Sequence, residues 1–177
     1  MRRVVIGGST SSGKTTFSRA LARRMDVPLI ELDALYWGPN WTEAPPPIFR
    51  ERVSAAIAGD TWVLDGNYSV VRDLTWARAD TLVWLDYPLR VILWRLFERT
   101  NRRIRSREEL WNGNRERFRN AYLSTNSLYL WLFRSYWMRR RTWPRALAEP
   151  AFRQLTVHRF RSPGNADRWL SSITAPE

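Results

Sequence analysis

The chain contains no cysteine, which excludes disulfides, zinc-thiolate sites and thiol nucleophiles. It has one histidine, His158, so neither histidine acid–base pairs nor multi-histidine metal sites exist; on an apolar strand this residue reads as structural. No uncharged apolar run approaches the ~18 residues of a membrane span. The first residues already read as strand, leaving no room for a signal peptide, and a cytoplasmic protein without a stable membrane span is expected. Lysine is nearly absent as well: of 29 basic residues, 28 are arginine and the exception is Lys14. There is no internal repeat and no low-complexity linker.

What is present centres on that lysine. Gly8-Ser9-Thr10-Ser11-Ser12-Gly13-Lys14-Thr15 satisfies the G-x-x-x-x-G-K-[ST] pattern without a mismatch. Arg3-Val4-Val5-Ile6 before it reads as a buried strand, and Phe17, Leu21 and Met25 after it fall at helical spacing. A loop of this kind turns successive N–H groups inward toward phosphate oxygens, and the new helix adds its unpaired N–H groups and positive dipole end. Gly8, Ser9, Ser11, Ser12, Gly13, Lys14, Thr15 and Thr16 are therefore expected to hold a nucleoside triphosphate. Lys14 would reach the β- and γ-phosphates and the Thr15 hydroxyl would ligate Mg2+. A compact, rotatable ammonium differs in kind from a guanidinium, and here it survives at the one place where that difference matters.

With 177 residues, 44% of them hydrophobic and 11 of them tryptophan, the chain suits one domain, 1–177, with a substantial core. Short apolar runs at Pro28 to Leu32, Thr61 to Leu64, Thr81 to Leu85 and Leu155 to Phe160 read as four further strands. Helical patterns separate them, one opening on the Pro45-Pro46-Pro47 run and carrying Phe49, Val53 and Ile57, another opening at Pro88. Further helices are expected over Glu108 to Leu123, Ser127 to Arg141 and Asn165 to Ile173. The fold class is α/β, a doubly wound five-stranded parallel sheet with ligands at the carboxyl ends of its strands. Asp33, Asp65 and Asp86 lie just beyond strand ends and would face the side of the phosphate loop.

Charge is unevenly placed. Residues 89 to 145 carry fifteen arginines against four acids, so nearly all of the net +12 sits in one third of the chain. Such a block reads as an anion-binding lid, a nucleic-acid or membrane patch, or a solvated face. The aromatic stretch from Ser127 to Met138 reads either as an interfacial membrane helix or as a helix packed between sheet and lid. Arg78 and Asp80 read as polar side chains facing solvent.

Several of these pieces resemble a known family. The phosphate loop, a strand ending in Leu64-Asp65-Gly66, a strand ending in Leu85-Asp86-Tyr87-Pro88 and an arginine-rich helix and lid are similar to the adenylate kinase-like P-loop nucleotide kinases. Glu31-Leu32-Asp33-Ala34-Leu35-Tyr36-Trp37, the Trp41 loop and Asp65-Gly66-Asn67-Tyr68-Ser69 look more closely like the bacterial DNA topology modulation proteins, or adenylate kinase-related proteins. The resemblance implies an ATP- and Mg2+-dependent phosphotransferase acting on a nucleotide or other small acceptor. It makes Asp65 the carboxylate that approaches Mg2+. It places Arg95 against the donor base and Arg99, four residues on, against donor phosphates, and it makes 99–122 a lid-like insertion. Arg102, Arg103, Arg105, Arg107, Arg115 and Arg119 are lid candidates. Asn67-Tyr68-Ser69 replaces the family's Phe-Pro-Arg, so the arginine that grips the acceptor phosphate is missing, and Arg72 is the candidate substitute. Asp33 reads as an acceptor-binding or hydroxyl-orienting carboxylate or as a loop cap, and Trp37 as a stacking surface for the acceptor or as loop burial.

Two other function classes stay open at this stage. The subgroup's name and the arginine block suggest an ATP-binding, nucleic-acid-associated regulator, but no helix-turn-helix, zinc-finger or RNA-binding motif can be quoted. A nucleotide-hydrolysing switch is the third reading, without an Asn-Lys-x-Asp guanine motif.

Overall fold

The computed structural model describes residues 1–106 and 128–173. Five strands form in chain order: β1 Arg3–Gly8, β2 Leu29–Glu31, β3 Trp62–Asp65, β4 Thr81–Leu85 and β5 Thr156–Phe160. They make one parallel sheet in the order β2-β3-β1-β4-β5. β3 and β4 are buried throughout, as continuous apolar runs covered on both faces should be. β5 is an edge strand with exposed positions; His158 sits there half-buried beside Phe160 and Trp169, and burial lowers its pKa.

The helices are α1 Lys14–Met25, α2 Leu32–Tyr36, α3 Pro46–Ala56, α4 Arg72–Arg78, α5 Leu89–Ser106, α6 Leu128–Leu147 and α7 Pro163–Ser171. They divide the core in two. On one face of the sheet Leu21 of α1, Ile92 and Leu96 of α5 and Ala166 of α7 pack with Val4, Ile6 and Val83. On the other, Phe49 and Val53 of α3 and Trp76 of α4 pack with Val5, Leu64 and Trp84. Each fully buried side chain of this size contributes about 1.5–3 kcal/mol.

α6 belongs to both halves. Its Leu132 and Tyr136 join the first cluster, while Trp143 and Ala146 join the second. The helix thus crosses above the carboxyl ends of the strands, and Trp143 comes down onto β1. A Cβ on Gly7 would lie 2.2 Å from the Trp143 ring, so that contact requires glycine. The outer face of α6 exposes Trp131, Phe133, Trp137 and Met138. Among the described residues no helix is long and apolar enough to cross a membrane.

Several sequence expectations shift. β2 ends at Glu31 because Leu32 already begins α2, a short helix absent from the sequence reading; Asp33 therefore sits in a first helical turn rather than at a strand end. α6 runs on to Leu147, through Pro144, beyond the expected Arg141. α7 starts at Pro163, two residues early, where the Ser162 hydroxyl accepts the Asn165 N–H at 3.3 Å. Residues 99–106 of the expected lid continue α5; the rest of it, with the helix expected over Glu108 to Leu123 and Arg107, Arg115 and Arg119, lies outside the described residues, as do the side chains of Arg103 and Arg105. Asp80 does more than face solvent: its carboxylate accepts the N–H groups of Arg2 and Arg3 at 3.0 and 2.9 Å and fixes the start of β1. Arg78 donates to the Ala58 carbonyl at 3.0 Å.

Candidate active site

The register brings Asp65 and Asp86 to the carboxyl edge of the sheet. β1 pairs Ile6 with Asp65 on one side and Gly8 with Leu85, the neighbour of Asp86, on the other. The loop from Ser9 to Gly13 leaves the sheet between them and enters α1. Two of its residues adopt left-handed backbone, Ser11 at φ 57° and Gly13 at φ 90°. A serine there costs on the order of 1 kcal/mol, sustained by the surrounding loop. Gly13 supplies no side-chain cap and the first turn of α1 holds no acid. The first N–H groups of the helix, from Lys14 to Thr16, thus lack intrahelical acceptors and form the positive end of its dipole.

Side chains close around this loop. Lys14 Nζ donates to the Ser9 carbonyl at 2.9 Å, and the Thr15 hydroxyl donates to Asp65 Oδ2 at 2.6 Å. The Gly8 N–H donates to Asn67 Oδ1 at 3.1 Å, so the residue just past β3 holds the loop. Arg95 reaches the Ser12 carbonyl at 3.0 Å and lies over the Tyr87 ring, and Arg99 reaches the Thr10 hydroxyl at 3.3 Å. Both arginines therefore meet the loop from α5, one helical turn apart. Thr16 is exposed in the first turn of α1, and Arg102 is exposed farther along α5.

Electrostatics are perturbed at the loop's two titratable groups. Enclosure pushes the Lys14 ammonium down to about 8, with Asp65 opposing and Arg139 reinforcing the shift. Burial raises Asp65, while Lys14 and the Thr15 hydrogen bond pull it back. Asp65 Oδ1 and the hydroxyls of Ser11 and Ser12 are buried with no hydrogen-bond partner among the described residues. An uncapped helix start, a lysine, a Thr–Asp pair and these orphaned oxygens fit a nucleotide polyphosphate with Mg2+.

Next to the loop is an aromatic wall. Tyr68 donates to Asp33 Oδ1 at 2.5 Å and also hydrogen-bonds Trp37. Tyr36 packs on Trp37, Phe49 and Tyr68, and Trp37 meets Trp41 edge-on at 5.5 Å. Trp37 and Asp33 are thus partly engaged by their own loop. Arg72 opens α4, with its guanidinium 5.1 Å from the Trp76 ring centroid.

α6 brings residues that sequence reasoning missed. Asp86, 4% exposed, receives Arg140 Nε at 2.6 Å and Arg159 Nη2 at 2.6 Å, tying α6 and β5 to the end of β4. Arg139, 5% exposed, lies on the buried face. Its signal was present: Leu132, Tyr136, Arg139, Trp143 and Ala146 follow 4-3-4-3 spacing, so the arginine falls in the apolar stripe.

Phosphate loop, central β1, and helices on both sides of a parallel sheet define a P-loop fold of the nucleoside monophosphate kinase-like kind. No protein-family model and no curated protein sequence matches the chain. Solved structures do. The shikimate kinase of Acinetobacter baumannii, in complex with shikimate, aligns with TM-score 0.56 and 16% identity over 98% of this chain and 90% of that one. The shikimate kinase of Bacteroides thetaiotaomicron gives 0.56 and 15% over 96% and 94%. A gluconokinase from Sinorhizobium meliloti 1021 gives 0.51 and 16% over 97% and 86%. Identities this low establish the fold alone, so the adenylate kinase and topology-modulation likenesses narrow to that fold.

Proposed function

We propose that this protein is an ATP- and Mg2+-dependent phosphotransferase that moves the γ-phosphoryl of ATP to a small hydroxyl-bearing acceptor. The observation that carries the reading is the junction of β1 and α1, where an uncapped helix start, Lys14 and the Thr15–Asp65 pair converge. Solved kinases of the same fold support it.

Lys14 and the loop N–H groups would hold the β- and γ-phosphates, with Ser9, Ser11, Ser12 and Thr16 around them. Thr15 and Asp65 would hold Mg2+, which, when bound, neutralises charge that develops between the phosphates. Arg99 steadies phosphate charge from α5, and Arg95 lies on the base side of the loop. Asp33 orients the acceptor hydroxyl and takes its proton as oxygen bonds to phosphorus and the bridge to the β-phosphate breaks. Trp37 forms part of the acceptor wall. Phosphoryl transfer asks mainly for positioning and charge stabilisation, which these residues supply.

The test is nucleotide consumption over a panel of nucleoside monophosphates, nucleosides and phosphorylatable metabolites, with Lys14→Met as the blank. The variant should lose at least about 10²-fold in turnover with its fold intact. Equal turnover in the two proteins would refute the assignment. The second reading, a nucleic-acid-associated ATP-binding regulator, rests on the arginine excess of residues 89 to 145. It requires duplex binding that weakens steeply as salt rises.

A further inference from the structure

The arginine that grips an acceptor phosphate in the resembled kinases is absent after Gly66, yet two other guanidiniums near the loop form no ion pair with a described residue. Arg139 is 5% exposed; its Nη1 donates to Ser135 of its own helix at 3.3 Å, and its Nε–H has no acceptor among the described residues. Its guanidinium lies 5.9 Å from the Trp143 ring centroid. Arg72, half-buried, lies 5.1 Å from the Trp76 centroid and makes no hydrogen bond or ion pair with a described residue. The two indoles meet edge to face at 5.3 Å, so the arginines that cover them sit on adjoining rings. Trp143 also rests against Gly7, so this place adjoins the phosphate loop.

Like charges are costly to bury side by side. Burial and Arg72 together bring the Arg139 guanidinium down to about 10, and burial lowers Arg72 as well. Asp86 acts on Arg139 only at a distance, since both its oxygens receive Arg140 and Arg159; Glu149 bears on Arg72 in the same remote way. A desolvated pair of this kind is stabilised by an oxyanion that accepts from both, because guanidinium forks match carboxylate and phosphate geometry.

We propose that Arg72 and Arg139 form the seat for an oxyanion of the acceptor, a carboxylate or a phosphate, so that the substrate class is a small anionic alcohol. This rests on the phosphotransferase reading and assigns the acceptor a charge that the reading leaves open. The seat joins α4 to α6, away from the position after Gly66 where the motif of the resembled kinases would put it.

The experiment separates the two claims. Loading of a non-hydrolysable ATP analogue with Mg2+ is measured first by calorimetry; failure there sinks the phosphotransferase reading and leaves the seat to be tested by itself. Inorganic phosphate is then titrated, by calorimetry or 31P line broadening, into the loaded protein and into nucleotide-free Lys14→Met, with acetate as competitor. Phosphate should bind in both, about tenfold or more weakly in Arg72→Gln and Arg139→Gln, while analogue loading is unchanged. Displacement by acetate assigns a carboxylate-sized seat; its absence assigns phosphate. Arg72→Gln keeps the test valid should Arg139→Gln fold poorly. No phosphate binding, equal affinity in the variants, or variants that lose analogue loading while phosphate still binds would each overturn the proposal.

Discussion

The Thr15 hydroxyl donates to Asp65 across 2.6 Å, joining the first turn of α1 to the end of β3. Asp65 Oδ1, on the same carboxylate, is buried and without a hydrogen-bond partner among the described residues. Asp65→Asn should keep the bond to Thr15 and lose the charge. The expected result is nucleotide binding that no longer strengthens when Mg2+ is added, read by calorimetry with and without the metal.

Nucleotide uptake should carry a proton. Lys14 is held down to about 8, and neighbouring phosphates favour its charged form. At pH 8.5 binding should therefore take up protons, seen as heats that differ between buffers of unlike ionisation enthalpy. At pH 6.5 the difference should vanish for this group.

The same shift links stability to pH. Because the folded value lies near 8 and a lysine's ordinary value is 10.5, the unfolded chain binds more protons between them, and this lysine's contribution to stability rises with pH across that window. Asp65 works in the opposite sense: its value is raised by burial, so its contribution rises as pH falls. Urea unfolding of wild type against Lys14→Met from pH 7.5 to 10 should show the wild type gaining relative to the variant.

Asp86 is buried between Arg140 and Arg159. Asp86→Asn removes one charge and strands two, which should cost about 3 kcal/mol after allowing for the partial exposure of the arginines. Chemical denaturation checks it, and the loss should be largest in probes on α6 and β5.

Gly7→Ala would drive a methyl group into the Trp143 ring, 2.2 Å from the added carbon. The expected loss is about 1–3 kcal/mol. Trp143→Leu combined with it should cost less than the two single changes together, a coupling that a double-mutant cycle measures.

The sheet and the loop were legible because their signals are local. Val4 to Ile6, Trp62 to Leu64 and Leu82 to Leu85 are runs that only a two-sided burial explains, and Gly13-Lys14-Thr15 is a motif with a physical meaning. Arg95 and Arg99 were assigned to the donor base and donor phosphates from the family's spacing; the structure places Arg95 at the Ser12 carbonyl and Arg99 at the Thr10 hydroxyl. α2 escaped because its five residues sit between a strand pattern and a proline-rich loop and carry no cap of their own. Asp86 read as a third carboxylate facing the phosphate loop; its partners lie more than fifty residues away, on α6 and β5, and pairing at such separation leaves no periodicity to read. Arg139 hid inside Arg139-Arg140-Arg141, where composition suggests solvent and only the register of α6 tells one arginine from its neighbours.

β1 has a paired strand on each side and no free edge. Its amide hydrogens should exchange only through global unfolding, whereas those of β2 and β5, at the margins, exchange by local fraying. A loop anchored to the least yielding strand inherits that stiffness, so substrate traffic must be accommodated by the helices that surround it.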